Sequence, residues 1–287
     1  MHDVAIIGMG AMGSRMAQRW LNAGHRVWVS TRDRSRARAL EAAGATFAAS
    51  PREAARHATV VVSMVTDDAA SAAVWTDEAT GARSGLRPGA IAVESSTLTP
   101  AWATRLAAHV QQRGATLVAA PVVGSRPQAE TGALVVLAGG PTEAIERLRP
   151  ELSPVASAVH AVGDVAQAMA MKLAVNTLFA TQVVAWAEVL GVLARAGIDP
   201  AAAAELLGGL PVTSPALRHA AAAIVARRFD PRFPIALVHK DLDYFVRQAS
   251  EAAAMVPSAT ATRDAYHRAL EAGHGGDDIV GVASVVG

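Results

Sequence analysis

Lys172 is the only charged side chain between Val165 and Ala187, in the run VAQAMAMKLAVNTLFATQVVAWA. The rest of that run is Ala, Met, Leu, Val, one Phe, one Trp and neutral polar residues, with no Gly or Pro to interrupt a helix. Burying an ammonium disfavours its charged form and lowers its pKa, the property a proton-transfer lysine needs. Asn176 follows four residues later and therefore shares the helical face. A cation beside an amide marks a polar site cut into an apolar helix. The plain alternative is a core-helix lysine whose ammonium snorkels out to water.

A second constellation stands near the start of the chain. Gly8-Met9-Gly10-Ala11-Met12-Gly13 directly follows the apolar run Val4-Ala5-Ile6-Ile7 and directly precedes a helical stretch. In that context the spacing reads as a dinucleotide loop. The first glycine permits a tight turn, the second lets the backbone approach a pyrophosphate, and the third lets helix pack close to strand. The helix N-terminus adds free N–H groups and the positive end of its dipole. The next β-rich run ends in Ser30-Thr31-Arg32-Asp33-Arg34-Ser35-Arg36. An NAD site wants an acidic residue at that point. Arg32, backed by Thr31 and Arg36, instead suits a 2′-phosphate, because guanidinium grips phosphate in a bidentate fork. The expected cofactor is NADP, and Asp33 is the rival that keeps NAD possible.

Both constellations need elements to hold them. Val4–Ile7, Val27–Val29, Val60–Met64, Ile91–Val93, Leu117–Ala119 and Leu134–Ala138 are short apolar runs. Helical stretches at Ser14–Ala23, Arg34–Ala43 and Pro100–Arg113 lie among them, so the pattern predicts βαβ units and a parallel sheet. From about Gly163 the strand signals stop. Helices are expected in the apolar run, after Pro200, and around 215–228, 240–255 and 258–272. The boundary this implies gives domains 1–162 and 163–287. With 287 residues, 52% apolar and 18% charged, the chain can bury two ordinary cores. A net charge of +1 gives no reason to expect nucleic acid. The absence of cysteine excludes disulfides, thiolate metal sites and cysteine nucleophiles, and no metal is expected. Met1-His2-Asp3 leads straight into a strand, leaving no room for a signal peptide. The apolar run is long enough for a membrane span, but Lys172, Asn176, Gln182 and Glu188 interrupt it. It reads as a core or interface helix of a cytoplasmic protein.

These blocks together resemble the beta-hydroxyacid dehydrogenase family, the group of 3-hydroxyisobutyrate dehydrogenases and glyoxylate/succinic semialdehyde reductases. The resemblance runs nearly end to end. It rests on GMGAMG, Glu94-Ser95-Ser96-Thr97, Ala120-Pro121-Val122-Val123-Gly124-Ser125, Lys172 with Asn176, and Lys240-Asp241-Leu242. Ala272-Gly273-His274 with Asp277-Asp278 looks like the glyoxylate/succinic semialdehyde reductase branch. It implies an α/β N-terminal Rossmann domain with a parallel sheet, then an all-α C-terminal domain joined by one long helix, with the active site between them. It also implies a homodimer or homotetramer acting on a small molecule.

On this resemblance Lys172 matches the catalytic lysine and Asn176 its polar partner. Lys172 would give a proton to a carbonyl oxygen during reduction and take the hydroxyl proton during oxidation. Ser96 and Thr97 match a hydroxyl pair near nicotinamide and substrate; the alternative is that they cap the next helix. Gly124 and Ser125 match groups that grip substrate, and Phe233 and Asp241 match residues that close the pocket. Lys240 matches a lysine near the cofactor, and Met64 and Val65 line its cleft. The alternatives are a core phenylalanine and an ordinary surface pair for Lys240-Asp241. Val123 departs from the pattern, standing where the family has a carboxylate-binding serine, and Glu94 stands at a common aspartate position. The valine puts the substrate's polarity in question and keeps an imine reductase or reductive aminase as the rival activity. Those enzymes usually lack the lysine. A non-catalytic dinucleotide-binding protein is the remaining alternative.

Overall fold

The computed structural model describes residues 3–287; Met1 and His2, placed above directly before the first strand, lie outside the described residues. In chain order the first half contains β1 (Asp3–Ile7), α1 (Gly13–Asn22), β2 (Arg26–Ser30), α2 (Arg38–Ala42), β3 (Thr46–Phe47), α3 (Pro51–Arg56) and β4 (Val60–Ser63). There follow α4 (Asp68–Thr76), β5 (Ile91–Glu94), α5 (Pro100–Gln111), β6 (Thr116–Ala119), β7 (Val122–Val123), α6 (Arg126–Thr131), β8 (Leu134–Gly139), α7 (Thr142–Leu152) and β9 (Ala156–Gly163). The rest is helical: α8 (Val165–Arg195), α9 (Pro200–Gly209), α10 (Pro215–Val225), α11 (Ile235–Glu251), α12 (Pro257–Glu271) and a closing 3₁₀ turn at Ile279–Ser284.

Six strands pair in the order β3-β2-β1-β4-β5-β6, all parallel. That is the doubly wound Rossmann order, whose strand order reverses between β1 and β4 and opens a crevice at the strands' carboxyl ends. The sheet then changes character. β8 runs antiparallel to β6 and to β7, and β9 pairs parallel with β8. The run of β4 is fully buried, as expected of a strand covered on both faces. β9 is different: none of its residues is fully buried, and it carries no apolar run to announce it.

Local chemistry sets the helix starts. Asp67 accepts from the amide of Ala70 at 2.8 Å to begin α4, and Thr99 accepts from Trp102 at 3.1 Å to begin α5, with Pro100 in its first turn. The expected helix at Arg34–Ala43 is a 3₁₀ turn over Arg34–Ala37 followed by the short α2.

The chain divides into two compact units, one ending at Lys172 and the other Leu173–Gly287. In the first, Ala168 and Met169 of α8 pack into the core on one side of the sheet. In the second, Ala180, Val183, Val184, Trp186 and Leu190 of α8 pack with Ile235, Val238 and Tyr266. By length and composition α8 is long and apolar enough to cross a membrane. One face of it contributes to the core of each unit.

Candidate active site

The glycine loop is built from contacts that only glycine tolerates. Gly8 has φ +102°, and a Cβ there would stand 2.2 Å from the carbonyl oxygen of Met64. Its amide donates to Ser30 O at 2.9 Å, locking the turn to β2. At Gly13 a Cβ would lie 2.0 Å from Gly8 O, so the start of α1 rests on the turn itself. Gly10 differs: nothing lies within 4 Å of where its Cβ would be. Met9 is buried, Met12 packs against the core, and Ala11 faces outward. No acidic residue occupies the first turn of α1, so the positive end of its dipole is unopposed there.

At the end of β2, Thr31 is half-buried and Arg32 exposed. Asp33 turns back on its own loop, accepting from the Ser35 hydroxyl at 2.6 Å and the Ser35 amide at 3.0 Å. Those hydrogen bonds, helped by Arg36 and Arg38, hold its carboxyl below the usual range. Arg36 approaches Asp33 at 3.6 Å, and Arg34 pairs with Glu41 and lies over the ring of Phe47. Among the described residues Arg32 has no hydrogen bond or ion pair.

The loops after β4 and β5 are tied together. Met64 N donates to Ile7 O, and Val65 N donates to the Ser96 hydroxyl at 2.8 Å. Thr99 donates to Asp68 through both its amide, at 2.9 Å, and its hydroxyl, at 2.6 Å. Ser96 is buried and Thr97 half-buried; neither caps α5, since Thr99 does. Farther along, β7 holds Val123 by pairing it with Val135. Gly124 follows at φ +125°, and Ser125 opens α6 with its amide donating to Gln128 Oε1 at 2.9 Å.

On α8, Lys172 is 7% exposed, between Met171 at 45% and Leu173 at 0%. Within the second unit, the Asn176 amide donates to Asp241 Oδ2 at 2.6 Å, and Lys240 Nζ lies 2.8 Å from Asp241 Oδ1. Asp241 is 3% exposed, so Lys240-Asp241 is not a surface pair. Lys240 also sits over the ring of Tyr244. Phe233 is half-buried and packs against the core of this unit, with its amide donating to Asp278 Oδ1 at 2.8 Å.

The structure therefore interlocks Gly8, Gly13, Met64, Val65 and Ser96 in the first unit, and Asn176, Lys240 and Asp241 in the second. It adds Asp68, which sequence reasoning passed over and which pins the loop that carries Ser96 and Thr97. Only the general preference of Asp for loop amides could have signalled it. Asp278, noted in the sequence only as part of the resemblance, pins the loop that carries Phe233.

Two family models match the chain. The NAD-binding domain of 6-phosphogluconate dehydrogenase matches residues 3–163, and the NAD-binding domain of NADP-dependent 3-hydroxyisobutyrate dehydrogenase matches residues 166–286. The 3-sulfolactaldehyde reductase of Escherichia coli is 30% identical over 97% of this chain and 93% of its own. The chain belongs to the beta-hydroxyacid dehydrogenase family. Its structure is similar to that of 3-hydroxyisobutyrate dehydrogenase from Salmonella typhimurium, with 28% identity, a TM-score of 0.89, and coverage of 98% and 99% of the two chains. An imine reductase from Pseudomonas sp. shares the fold at 23% identity and a TM-score of 0.62, covering 99% of this chain and 98% of its own.

This beta-hydroxyacid dehydrogenase is an NAD(P)-dependent oxidoreductase. Its own loop fits the cofactor. Gly8 and Gly13 are filled by neighbours, whereas the face of Gly10 is open, as a backbone that meets a pyrophosphate requires. The loop after β4 lies beside it at the reversal point of the sheet, where such folds bind dinucleotides.

Proposed function

We propose that this enzyme uses NADP to interconvert a small aldehyde or keto acid with its hydroxy acid, with Lys172 as the general acid and base. Gly8 to Gly13 and the start of α1 would hold the pyrophosphate, Arg32 with Thr31 and Arg36 the 2′-phosphate, and Met64 and Val65 the wall of the cleft. When bound, the nicotinamide supplies or accepts the hydride. In reduction Lys172 Nζ donates a proton to the carbonyl oxygen as it becomes a hydroxyl; in oxidation the neutral amine removes that proton. Asn176, one turn on, keeps a polar group on the same face, and Asp241 fixes its amide. Thr97, Gly124 and Ser125 would orient the substrate's acid group. Arg32 supports NADP because it alone of the loop's first two arginines has no acidic partner, while Asp33 is engaged by Ser35.

The observation that carries the reading is the burial of Lys172 in an otherwise apolar stretch. Replacing Lys172 with Ala should cut turnover by about 10²- to 10⁴-fold and leave NADPH affinity unchanged. Undiminished turnover of glyoxylate and succinic semialdehyde by K172A would refute it. Val123 supports a second reading, reduction of C=N bonds. A cyclic imine reduced faster than either aldehyde would favour that activity. A cytoplasmic homodimer or homotetramer belongs to the same proposal, supported by Leu178 and Val192, each 64% exposed on α8. Sedimentation as a monomer at micromolar concentration would remove it.

A further inference from the structure

β5 ends in a carboxylate that no solvent reaches: Glu94 is 0% exposed, among Ser63, Ser71 and Trp75 that are equally buried. A charge-bearing side chain survives there only if every oxygen is met by a donor. Each is. Glu94 Oε2 accepts from the Ser71 hydroxyl at 2.7 Å and the Trp75 indole at 2.9 Å. Glu94 Oε1 accepts from the amide of Ser96 at 3.0 Å. The Ser71 hydroxyl is in turn held by the Trp102 indole at 2.9 Å. An apolar residue would fill this space without needing four polar groups arranged around it, so the arrangement calls for a reason beyond packing.

What the carboxylate grips outside the core is the peptide after β5. Ser96 is held through its amide by Glu94, and its hydroxyl accepts from Val65 N in the loop after β4. An unbroken path of hydrogen bonds thus runs from two indoles on α4 and α5, through Glu94 and Ser96, to Val65. Both loops stand at the carboxyl ends of the strands next to the reversal point of the sheet. We propose that Glu94 is a positioning residue, which fixes the cofactor-facing loops after β4 and β5 in one geometry before cofactor arrives. This rests on the reading above that Val65 and Thr97 face cofactor and substrate.

The donor pattern makes the test specific. All three partners of Glu94 donate, so the carboxamide of E94Q must turn its NH₂ toward either the Ser96 amide or the Trp75 indole and lose that bond. E94D keeps two accepting oxygens on a shorter arm. With E94Q folded at 25 °C by near-UV circular dichroism, tryptophan emission should shift and NADPH affinity should fall by about tenfold, with E94D recovering most of it. Wild-type NADPH affinity in folded E94Q, or E94D as weak as E94Q, would overturn the proposal. Should E94Q not fold, W75F removes one donor while Ser71 and Ser96 remain. It should weaken NADPH by a few-fold, and unchanged affinity there counts equally against Glu94. Because NADPH binding needs no proton transfer, this result stands apart from the K172A experiment, whose failure would touch only the catalytic reading.

Discussion

Substituting Gly10 and Gly13 of the loop one at a time should separate stability from binding. Gly10 lies outside the left-handed region and has nothing within 4 Å of its missing Cβ. G10A therefore adds a methyl to open space and should change stability by no more than about 1 kcal/mol, with the sign set by the reduced freedom of the unfolded chain. The same methyl stands where a pyrophosphate would meet the backbone. Losing one or two charge-assisted hydrogen bonds there costs about 1.5–3 kcal/mol, roughly 10- to 100-fold in NADPH affinity. Gly13 is the counter-case, because a Cβ 2.0 Å from Gly8 O forces the turn open. G13A should lose about 3 kcal/mol or more of stability even without ligand. The assay is thermal melting with and without NADPH. At a hundred times the dissociation constant, NADPH adds about 2.7 kcal/mol to the wild type, a rise of about 5 to 11 °C. A hundredfold weaker G10A gains about 0.4 kcal/mol at the same concentration, or about 1 to 2 °C. A G10A protein whose melting responds to NADPH like the wild type would refute the assignment of this loop to the pyrophosphate. A G10A protein as unstable as G13A would refute the steric account.

Three further outcomes are expected. R32A should weaken NADPH by about 10- to 100-fold and change NADH by less than about threefold, read from quenching of tryptophan emission; equal losses for both would remove Arg32 from the 2′-phosphate. Tyr266 is fully buried, and burial, helped by the negative charge of Asp278, holds its phenol well above the ordinary value of 10.0. Its contribution to stability is thus complete below about pH 10 and is lost as rising pH ionises the unfolded chain first. Y266F, which forfeits the 3.2 Å bond to Ile279 O, should be less stable by about 1 kcal/mol at pH 8, yet fall less steeply than wild type between pH 10 and 11. V123S should lower KM for a short keto acid several-fold by supplying a hydroxyl, and an unchanged KM would detach residue 123 from substrate binding.

The parts legible in the sequence were those whose physics is local. Gly8, Gly10 and Gly13 announce themselves because a strand, a turn and a helix start are compressed into six residues. Lys172 is conspicuous because fifteen neutral residues follow it before Glu188 breaks the run. The end of β2 held one more readable sign: Asp33 with Ser35 two positions on is an Asx-turn spacing, and that turn is what engages the carboxylate. Other features depend on partners far away in the chain. β3 and β7 are two residues each, too short for any periodicity, and β9 is an edge strand interrupted by Ser157 and His160. Ser71 and Trp75 read as ordinary helix residues until the fold brings them to Glu94, 23 and 19 positions away, and Trp102 does so until it meets Ser71, 31 positions away.

The backbone at Val123 is held by pairing with Val135, through main-chain groups that every residue other than proline possesses. The turn that follows is set by Gly124, not by the side chain before it. Position 123 can therefore exchange a methyl-rich surface for a hydroxyl, or the reverse, with little consequence for folding. On the proposed reading that residue 123 meets the substrate, single mutations there would change substrate preference while leaving a stable protein. Diversification of this kind needs no compensating change elsewhere, in contrast to Glu94, where only another carboxylate offers acceptors to Ser71, Trp75 and the Ser96 amide together.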